Sequence, residues 1–370
     1  MSAPLRVILA GGGTGGHVFP AVAVAQALEA VSPGVELLFV GTERGLEARA
    51  LPKLGYRLET LDVRFLKGTG PLGWAMGLAR LPLAGLQAAK IIRGFKPDVV
   101  VSAGGYAAGP VTMVAALMGI ETALMEQNAM PGMTNRLLGR VVRRCFLSLP
   151  VVEGTLPADK CTLTGNPLRR EILALRHERA EASEGRNRRE EFRIFVTGGS
   201  GGAGPLNKGL PMAFRQMDEV MARKLKVRHQ AGRGRAAQVE SDYRGFAGEV
   251  EVVEFVEDMP GAYRWADLVI CRAGATTLAE LLAMGSPALL IPFAGAADNH
   301  QEANARTVVE AGASLMVRED ELVTGRVERL LAGLVANPES LDKMAARALT
   351  LGRPEAGEIV ARGILELAGR

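Results

Sequence analysis

No CxxC pair, no GxxxxGKS/T loop and no D-x-D pair beside a glycine turn occurs in this chain of 370 residues, and each absence excludes a chemistry. Cys145, Cys161 and Cys271 are odd in number and far apart, so they read as small core residues of a reducing compartment, not as a zinc or dithiol redox site. The missing lysine-bearing loop excludes a P-loop kinase or ATPase. Without acid pairs at metal spacing, neither a metal nor any other cofactor is expected to assist a departing diphosphate. Aromatic residues are scarce, at 5%, and no basic tract is interleaved with them, which removes nucleic acid from the expected partners. Excess charge is scarce as well: 44 basic against 40 acidic side chains leave a net +4, which permits contact with anionic lipid or phosphate without demanding it. No basic and then apolar leader precedes the first strand pattern, which points to a cytoplasmic chain. The charge-free run 99–120 is broken by Gly104, Gly105, Gly109 and Pro110. A strand, a glycine turn and a buried helix account for it better than a membrane span of roughly 20 residues.

Glycine is abundant, at 45 of 370 residues, and it clusters just after apolar runs without a collagen period. Apolar β-type runs at 5–10, 35–41, 99–102, 122–125 and 144–149 alternate with helical patterns, the signature of βαβ units around a parallel sheet. The alternation lapses in a charged stretch and restarts at 193–197, 225–229, 250–255, 268–271 and 288–292. This pattern predicts an α/β protein with two doubly wound domains, over 1–165 and 191–345, joined by a linker over 166–190. A helical segment over 346–370 is expected to pack back toward the first domain as a brace. Ligands of such sheets bind beyond the carboxyl ends of strands, so the site is expected between the domains.

Directly after the first strand stands Gly11-Gly12-Gly13-Thr14-Gly15-Gly16-His17, opening a helix. Such a loop brings bare backbone N–H groups close to a ligand, and formally it satisfies GxGxxG. A dinucleotide site also needs an acid at the end of the second strand. Here that strand ends Val40-Gly41-Thr42, with only Glu43 arguable, so nicotinamide binding is disfavoured. His17 reads either as a helix-start hydrogen bonder or as a general base, since imidazole accepts a proton near neutral pH; its place beside an open loop favours the base. The second loop, 197–205 (TGGSGGAGP), ends in a proline suited to the first turn of a helix, whose dipole favours a departing diphosphate by up to ~2 kcal/mol. The run CRAGATTLAE, 271–280, passes from strand into helix. Thr277 and Glu280 form either a capping box or a place where Glu280 accepts both hydroxyls of a ribose, at about 1.5 to 3 kcal/mol per charge-assisted bond; nucleoside binding is preferred. The polar run Asp298-Asn299-His300-Gln301-Glu302-Ala303-Asn304 either counts sugar hydroxyls or is an ordinary helix start.

In order and spacing, GGGTGGHVFP, GGYAAGP (104–110), EQN (126–128), GNPLR (165–169), GGSGGA and CRAGATTLAE resemble the motifs of the peptidoglycan GlcNAc transferases, glycosyltransferase family 28, over nearly the whole chain. The resemblance implies a GT-B fold, two Rossmann-like domains facing a cleft. It implies an inverting hexosyltransferase that moves GlcNAc from UDP-GlcNAc to the C4 hydroxyl of the muramoyl-pentapeptide of undecaprenyl-pyrophosphate-linked lipid I, giving lipid II and UDP. It also implies a donor held by the C-terminal domain, lipid I received by the N-terminal one, and a peripheral place at the cytoplasmic side of the inner membrane. Position by position, His17 matches the family's proposed base. Thr14, Gly15, Gly16, Asn128 and Arg169 resemble donor contacts, Ser200 the phosphate contact and Val256 the backbone clamp on uracil. Ala275, Thr276, Thr277, Leu278, Ala279 and Glu280 resemble the nucleoside and phosphate turn, with Glu280 on the ribose diol; His300 and Gln301 resemble the pair that senses GlcNAc. Met125, Gly201 and His300 depart from the common pattern, which touches the detail of sugar contacts and not the reaction class. The alternatives are a UDP-GlcNAc 2-epimerase or other GT-B nucleotide-sugar enzyme and, outside catalysis, a nucleotide-sugar-binding membrane adaptor.

Between residues 65 and 93, Leu66, Leu72, Trp74, Met76, Leu78 and Leu83 are interleaved with Lys67, Arg80, Lys90 and Arg93, and a second basic stretch holds Arg136, Arg140, Arg143 and Arg144. Peripheral binding to anionic lipid and a buried helix with solvated charges both fit. The lipid tail of the acceptor implied by the resemblance favours the membrane.

Overall fold

The computed structural model describes residues 3–63, 70–174, 176, 190–199 and 201–370, with the backbone alone for 70–80. The chain divides into two compact units, Met1–Arg169 with Pro354–Arg370, and Arg170–Arg353.

The first unit is built on seven strands: β1 (Arg6–Gly11), β2 (Glu36–Gly41), β3 (Leu58–Thr60), β4 (Val99–Gly104), β5 (Glu121–Glu126), β6 (Arg144–Leu147) and β7 (Cys161–Leu163). They run parallel in the order β3-β2-β1-β4-β5-β6-β7. Helices α1 (Gly15–Val31), α2 (Glu47–Lys53), α3 (Gly70–Phe95), α4 (Ala108–Leu117) and α5 (Met133–Leu138) cross between them. Successive side chains of a strand point to opposite faces. Val7 and Leu9 therefore join Val101, Val22 and Leu28 in one core, while Ile8 and Ala10 join Val100, Ile92 and Val111 in another. Because both faces are covered, the strands read as unbroken apolar runs. The charge-free run beginning at Val99 resolves into β4, the turn at Gly104 and Gly105, and α4.

The second unit carries β8 (Phe192–Thr197), β9 (Leu225–Gln230), β10 (Glu249–Val253), β11 (Leu268–Cys271), β12 (Ala288–Leu290) and β13 (Leu315–Met316), parallel in the order β10-β9-β8-β11-β12-β13. Around them lie α6 (Arg170–Ala174), α7 (Gly204–Arg215), α8 (Glu219–Ala222), α9 (Ala236–Asp242), α10 (Met259–Trp265), α11 (Ala275–Met284), α12 (His300–Glu310), α13 (Arg326–Ala336) and α14 (Glu339–Leu351). Ile194, Val196 and Ile270 of the sheet share a core with Leu206, Leu210 and Phe214 of α7 and Val327 and Leu331 of α13. The boundary expected at 345 falls inside α14, which packs on α11, so this unit runs on to Arg353. Of the stretch expected as a linker, α6 also packs on α11, and 177–189 lie outside the described residues.

The final helix, α15 (Ala356–Leu367), returns to the first unit and packs on α1, burying Val360, Ala361 and Ile364. A Cβ on Gly363 would stand 2.8 Å from the Phe146 ring, so glycine is what lets the helix approach the sheet. Arg144 Nη1 pairs with Glu366 Oε2 at 2.7 Å, and Arg370 Nη1 donates to Ala3 O at 2.7 Å. The cysteines are free thiols, and burial pushes Cys145 and Cys271 up to about 12, which keeps them protonated and unreactive.

Candidate active site

In each sheet the strand order reverses beside the unit's first strand, between β1 and β4 and between β8 and β11. Carboxyl ends at such a switch point leave a crevice for ligands. The glycine motifs read from the sequence sit at these four strand ends.

After β1 the chain turns at Gly12 (φ +154) and Gly13 (φ +92), and after β4 at Gly104 (φ +93) and Gly105 (φ +90). The two turns touch. Gly12 N donates to Gly104 O at 3.2 Å, and a Cβ on Gly105 would stand 2.4 Å from Gly12 O, so only bare α-carbons permit the crossing. Thr14 then caps α1 through its backbone, with no side-chain cap bond. Thr14 and Gly16 are exposed and Gly15 is half-buried. His17, also half-buried, lays its ring on Gly104, where a Cβ would stand 2.5 Å from Nδ1.

Although Glu43 is the acid nearest the end of β2 in the sequence, the structure places Glu47 against this loop. Glu47 opens α2 and is 1% exposed. Its Oε2 accepts from Gly13 N at 2.7 Å, and its Oε1 accepts from Thr42 N at 2.9 Å and Thr42 Oγ1 at 2.8 Å. The carboxylate is thus turned onto the protein's own glycine loop.

At the end of β5 the buried Glu126 is a hub. Its Oε1 accepts from Asn128 N at 2.8 Å and Asn128 Nδ2 at 3.3 Å, and its Oε2 from Gly132 N at 3.2 Å and Asn135 Nδ2 at 2.8 Å. Burial pushes its carboxyl above the usual range, and the donated hydrogen bonds pull against that rise. The hub fixes Asn128, which is half-buried. Arg169 stacks its guanidinium 4.7 Å from the centroid of Phe19, which brings it to the early turns of α1.

In the second unit, Thr197 Oγ1 accepts from Gly199 N at 3.1 Å and donates to Gln230 Oε1 at 2.7 Å. Ser200 lies outside the described residues. A Cβ on Gly202 would stand 2.0 Å from Ala231 O, and one on Gly232 2.6 Å from Gly201 O. Beneath this crossing Asn207 Nδ2 donates to Ala231 O at 2.8 Å, Asn207 Oδ1 meets His229 Nε2 at 3.1 Å, and His229 Nδ1 meets Tyr243 OH at 2.9 Å. Because an amide oxygen only accepts, His229 carries its proton on Nε2 and the Tyr243 hydroxyl donates to Nδ1. Burial pushes His229 down to about 3, so the ring is neutral. The helix α7 begins here, with Pro205 in its first turn and its positive end toward the loop.

The run from β11 into α11 excludes the capping box that T-x-x-E could have formed. Gly274 is the N-cap of α11 and makes no side-chain cap bond, and the helical ladder begins with Leu278 N donating to Gly274 O at 2.9 Å. Thr277 is therefore inside the helix, and no capping box forms. Glu280, 5% exposed, instead accepts the Tyr263 hydroxyl on Oε2 at 2.9 Å. Ala275 and Leu278 are buried, while Thr276, Thr277 and Ala279 are half-buried; Val256 is half-buried in the loop after β10.

Beyond β12, Phe293 N donates to Gln301 Oε1 at 3.0 Å. His300 Nδ1 donates to Ala297 O at 2.8 Å, which leaves Nε2 as the ring nitrogen not engaged by that carbonyl. Asp298 and Asn299 both hold φ +52, a left-handed conformation these residue types tolerate better than most. Asn304 Nδ2 ties the segment to Ala273 O at 3.2 Å. Arg272 pairs with Glu319 at 2.5 Å and donates to Ile291 O at 3.0 Å and Pro292 O at 3.2 Å. A pocket of about 720 Å³ opens here, lined by Pro205, Pro292, Asn299, Glu302, Arg318 and Glu319, within the range that small ligands occupy. It joins the start of α7 to the polar segment. Tyr263, Arg318 and Glu319 carry no motif that would have singled them out.

The glycosyltransferase family 28 N-terminal domain matches residues 7–147, and the glycosyltransferase family 28 C-terminal domain matches residues 193–359. A relative from Myxococcus xanthus, named UDP-N-acetylglucosamine--N-acetylmuramyl-(pentapeptide) pyrophosphoryl-undecaprenol N-acetylglucosamine transferase, is 44% identical over 363 residues, 98% of this chain and 93% of its own. One of the same name from a Geobacter species is 42% identical over 356 residues, 96% of this chain and 94% of its own. Among solved structures, MurG of Acinetobacter baumannii matches with a TM-score of 0.80 at 30% identity, covering 98% of this chain and 100% of that one. UDP-GlcNAc 2-epimerase from Neisseria meningitidis, at a TM-score of 0.67 and 14% identity over 98% of this chain and 99% of its own, shares the fold.

Proposed function

The chain belongs to glycosyltransferase family 28, and from that premise we propose that it transfers GlcNAc from UDP-GlcNAc to the muramoyl C4 hydroxyl of lipid I, forming lipid II. The observation that carries this reading is the equipment of the two switch points, an imidazole laid on the glycine turn after β4 in the first unit and a buried carboxylate in the helix that follows β11 in the second.

The second unit holds the donor. Glu280 accepts the ribose hydroxyls, Val256 offers its backbone to uracil, and the turn of Ala275, Thr276, Thr277, Leu278 and Ala279 carries the nucleoside. The 198–205 loop with Ser200, and the positive end of α7, hold the diphosphate. His300 Nε2 and the Gln301 amide count hydroxyls of GlcNAc. From the first unit, Thr14, Gly15, Gly16, Asn128 and Arg169 contact the donor. His17 takes the C4 hydroxyl proton while that oxygen attacks the anomeric carbon on the face opposite UDP. The bond from C1 to the phosphate oxygen breaks, its electrons leave on the β-phosphate, and the configuration inverts. Backbone amides aimed at the growing negative charge stabilise the departing group.

GlcNAc transfer to a lipid I analogue is the deciding assay. His17→Ala lowers turnover by about 100- to 10,000-fold while UDP affinity stays. No transfer by the unaltered protein, or epimerised donor formed without acceptor, overturns the reading.

The first unit is also proposed to rest on anionic lipid. Leu83 and Leu86 of α3, Leu117 of α4 and Met133 and Leu137 of α5 are exposed, Leu117 at 81% and Leu86 at 71%. α3 packs on α4, and α4 on α5. Lys90, Arg93, Arg136 and Arg140 lie on or beside the same helices, while Arg143 and Arg144, at the start of β6, pair with Glu121 and Glu366; apolar side chains next to cations suit a bilayer surface. Leu66, Lys67 and the side chains of Leu72, Trp74, Met76, Leu78 and Arg80 lie outside the described residues. Among the described residues no helix is long and apolar enough to cross a membrane. The lipid carrier of the acceptor supports a peripheral place at the cytoplasmic side of the inner membrane.

A further inference from the structure

The first glycine loop has the pattern of a phosphate cradle, yet its anion is already present. Gly13 N points at Glu47 Oε2, and both Thr42 donors point at Oε1. Three glycines wall the carboxylate: a Cβ would stand 2.2 Å from Oε1 on Gly12, 2.6 Å from Cγ on Gly41 and 2.0 Å from Oε2 on Gly45. At 1% exposure no solvent shares the group. A buried carboxylate bonded by neutral donors persists only where those donors are fixed, so carboxylate and loop hold each other in one geometry.

We propose that Glu47 is the built-in anion of the first glycine loop, filling the amide that a nucleotide phosphate takes in loops of this pattern and positioning the turn that carries Thr14 to His17. Two consequences follow for a chain with two glycine cradles. The first cradle is closed to a diphosphate at Gly13, which leaves nucleotide to the second. Secondly, His17 inherits its placement from Glu47 through Gly12, Gly13 and the N-cap, so Glu47 is a positioning residue and touches no substrate. The inference rests on the reading of His17 as the base.

The test compares Glu47→Gln, Glu47→Ala and His17→Ala in the full chain, with transfer to a lipid I analogue and UDP binding as separate readouts. Glutamine keeps the volume, but whichever way its amide turns, the NH2 faces Gly13 N–H or Thr42 N–H. The expected result for Glu47→Gln is a kcat lowered about tenfold or more, since one charge-assisted bond is worth at least that factor, with UDP affinity unchanged. In Glu47→Ala, formate restores part of the lost kcat by re-entering between Gly13 and Thr42, while chloride at equal ionic strength does not. Should Glu47→Ala not fold, the glutamine variant carries the test alone. Wild-type kcat in Glu47→Gln, or a folded Glu47→Ala whose loss formate leaves untouched, overturns the proposal. Full activity in His17→Ala instead overturns the reading of the base on which it rests.

Discussion

Gly104→Ala is the substitution by which the His17 arrangement is most sharply tested. The new methyl would stand 2.5 Å from His17 Nδ1 and 2.7 Å from Cε1. Ordinary contact begins near 3.4 Å, so the ring gives way by about 0.9 Å, and a shift of about 1 Å at a reacting group costs on the order of 100-fold in rate. Alanine at φ +93 also strains the backbone, by about 1–3 kcal/mol. The two effects separate with Gly34→Ala, which meets similar strain at φ +86 but has nothing within 4 Å of its Cβ and lies outside the glycine loop. Both variants are expected to lose similar stability in urea unfolding, yet only Gly104→Ala loses about 100-fold in kcat for GlcNAc transfer, with UDP affinity unchanged in each. Equal kcat in the two variants would refute the idea that Gly104 exists to make room for the imidazole.

Three further outcomes are expected. Glu280→Gln weakens UDP by about tenfold or more, one charge-assisted bond, and weakens 2′-deoxy-UDP less; titration calorimetry showing equal losses removes the ribose from Glu280. His229 titrates near 3 when folded against 6.5 ordinarily, so the unfolded chain takes up the proton first. Stability is intact above about pH 6.5 and falls by about 1.4 kcal/mol per unit as pH drops toward 3; urea unfolding across that window should show a shallower slope in His229→Gln, and parallel slopes contradict the assignment. Leu117→Glu with Leu137→Glu, at side chains 81% and 58% exposed, leaves the melting temperature within a degree or two but abolishes sedimentation with anionic vesicles; undiminished sedimentation places the lipid face elsewhere.

The parallel sheets were legible because a strand covered on both faces cannot hide its apolar run, as Val99, Val100 and Val101 show. The strands β3, β7 and β13 were not, since two or three residues carry no period. Glycine loops announce themselves for a related reason, because a backbone crossing such as Gly202 on Ala231 forbids any side chain. Their supports stay silent. Glu47 reaches Gly13 across 34 positions from a charged stretch that looks solvated, and Tyr263 meets Glu280 from an unremarkable turn of α10. T-x-x-E was ambiguous locally because a capping box and an ordinary helix interior share that spelling; only the start of α11 at Ala275 separated them. The α15 brace was readable from its period, but its seat on α1 depends on contacts more than 300 positions apart, which no window of sequence spans.

That seat has a consequence for how the chain is made. Residues 170–353 interrupt the first unit in sequence, so a nascent chain leaving the ribosome has the whole second unit in hand before α15 exists. Until then α1 presents a bare apolar seam where Val360, Ala361 and Ile364 will dock. The amino-terminal unit is thus closed only after the second unit has been made.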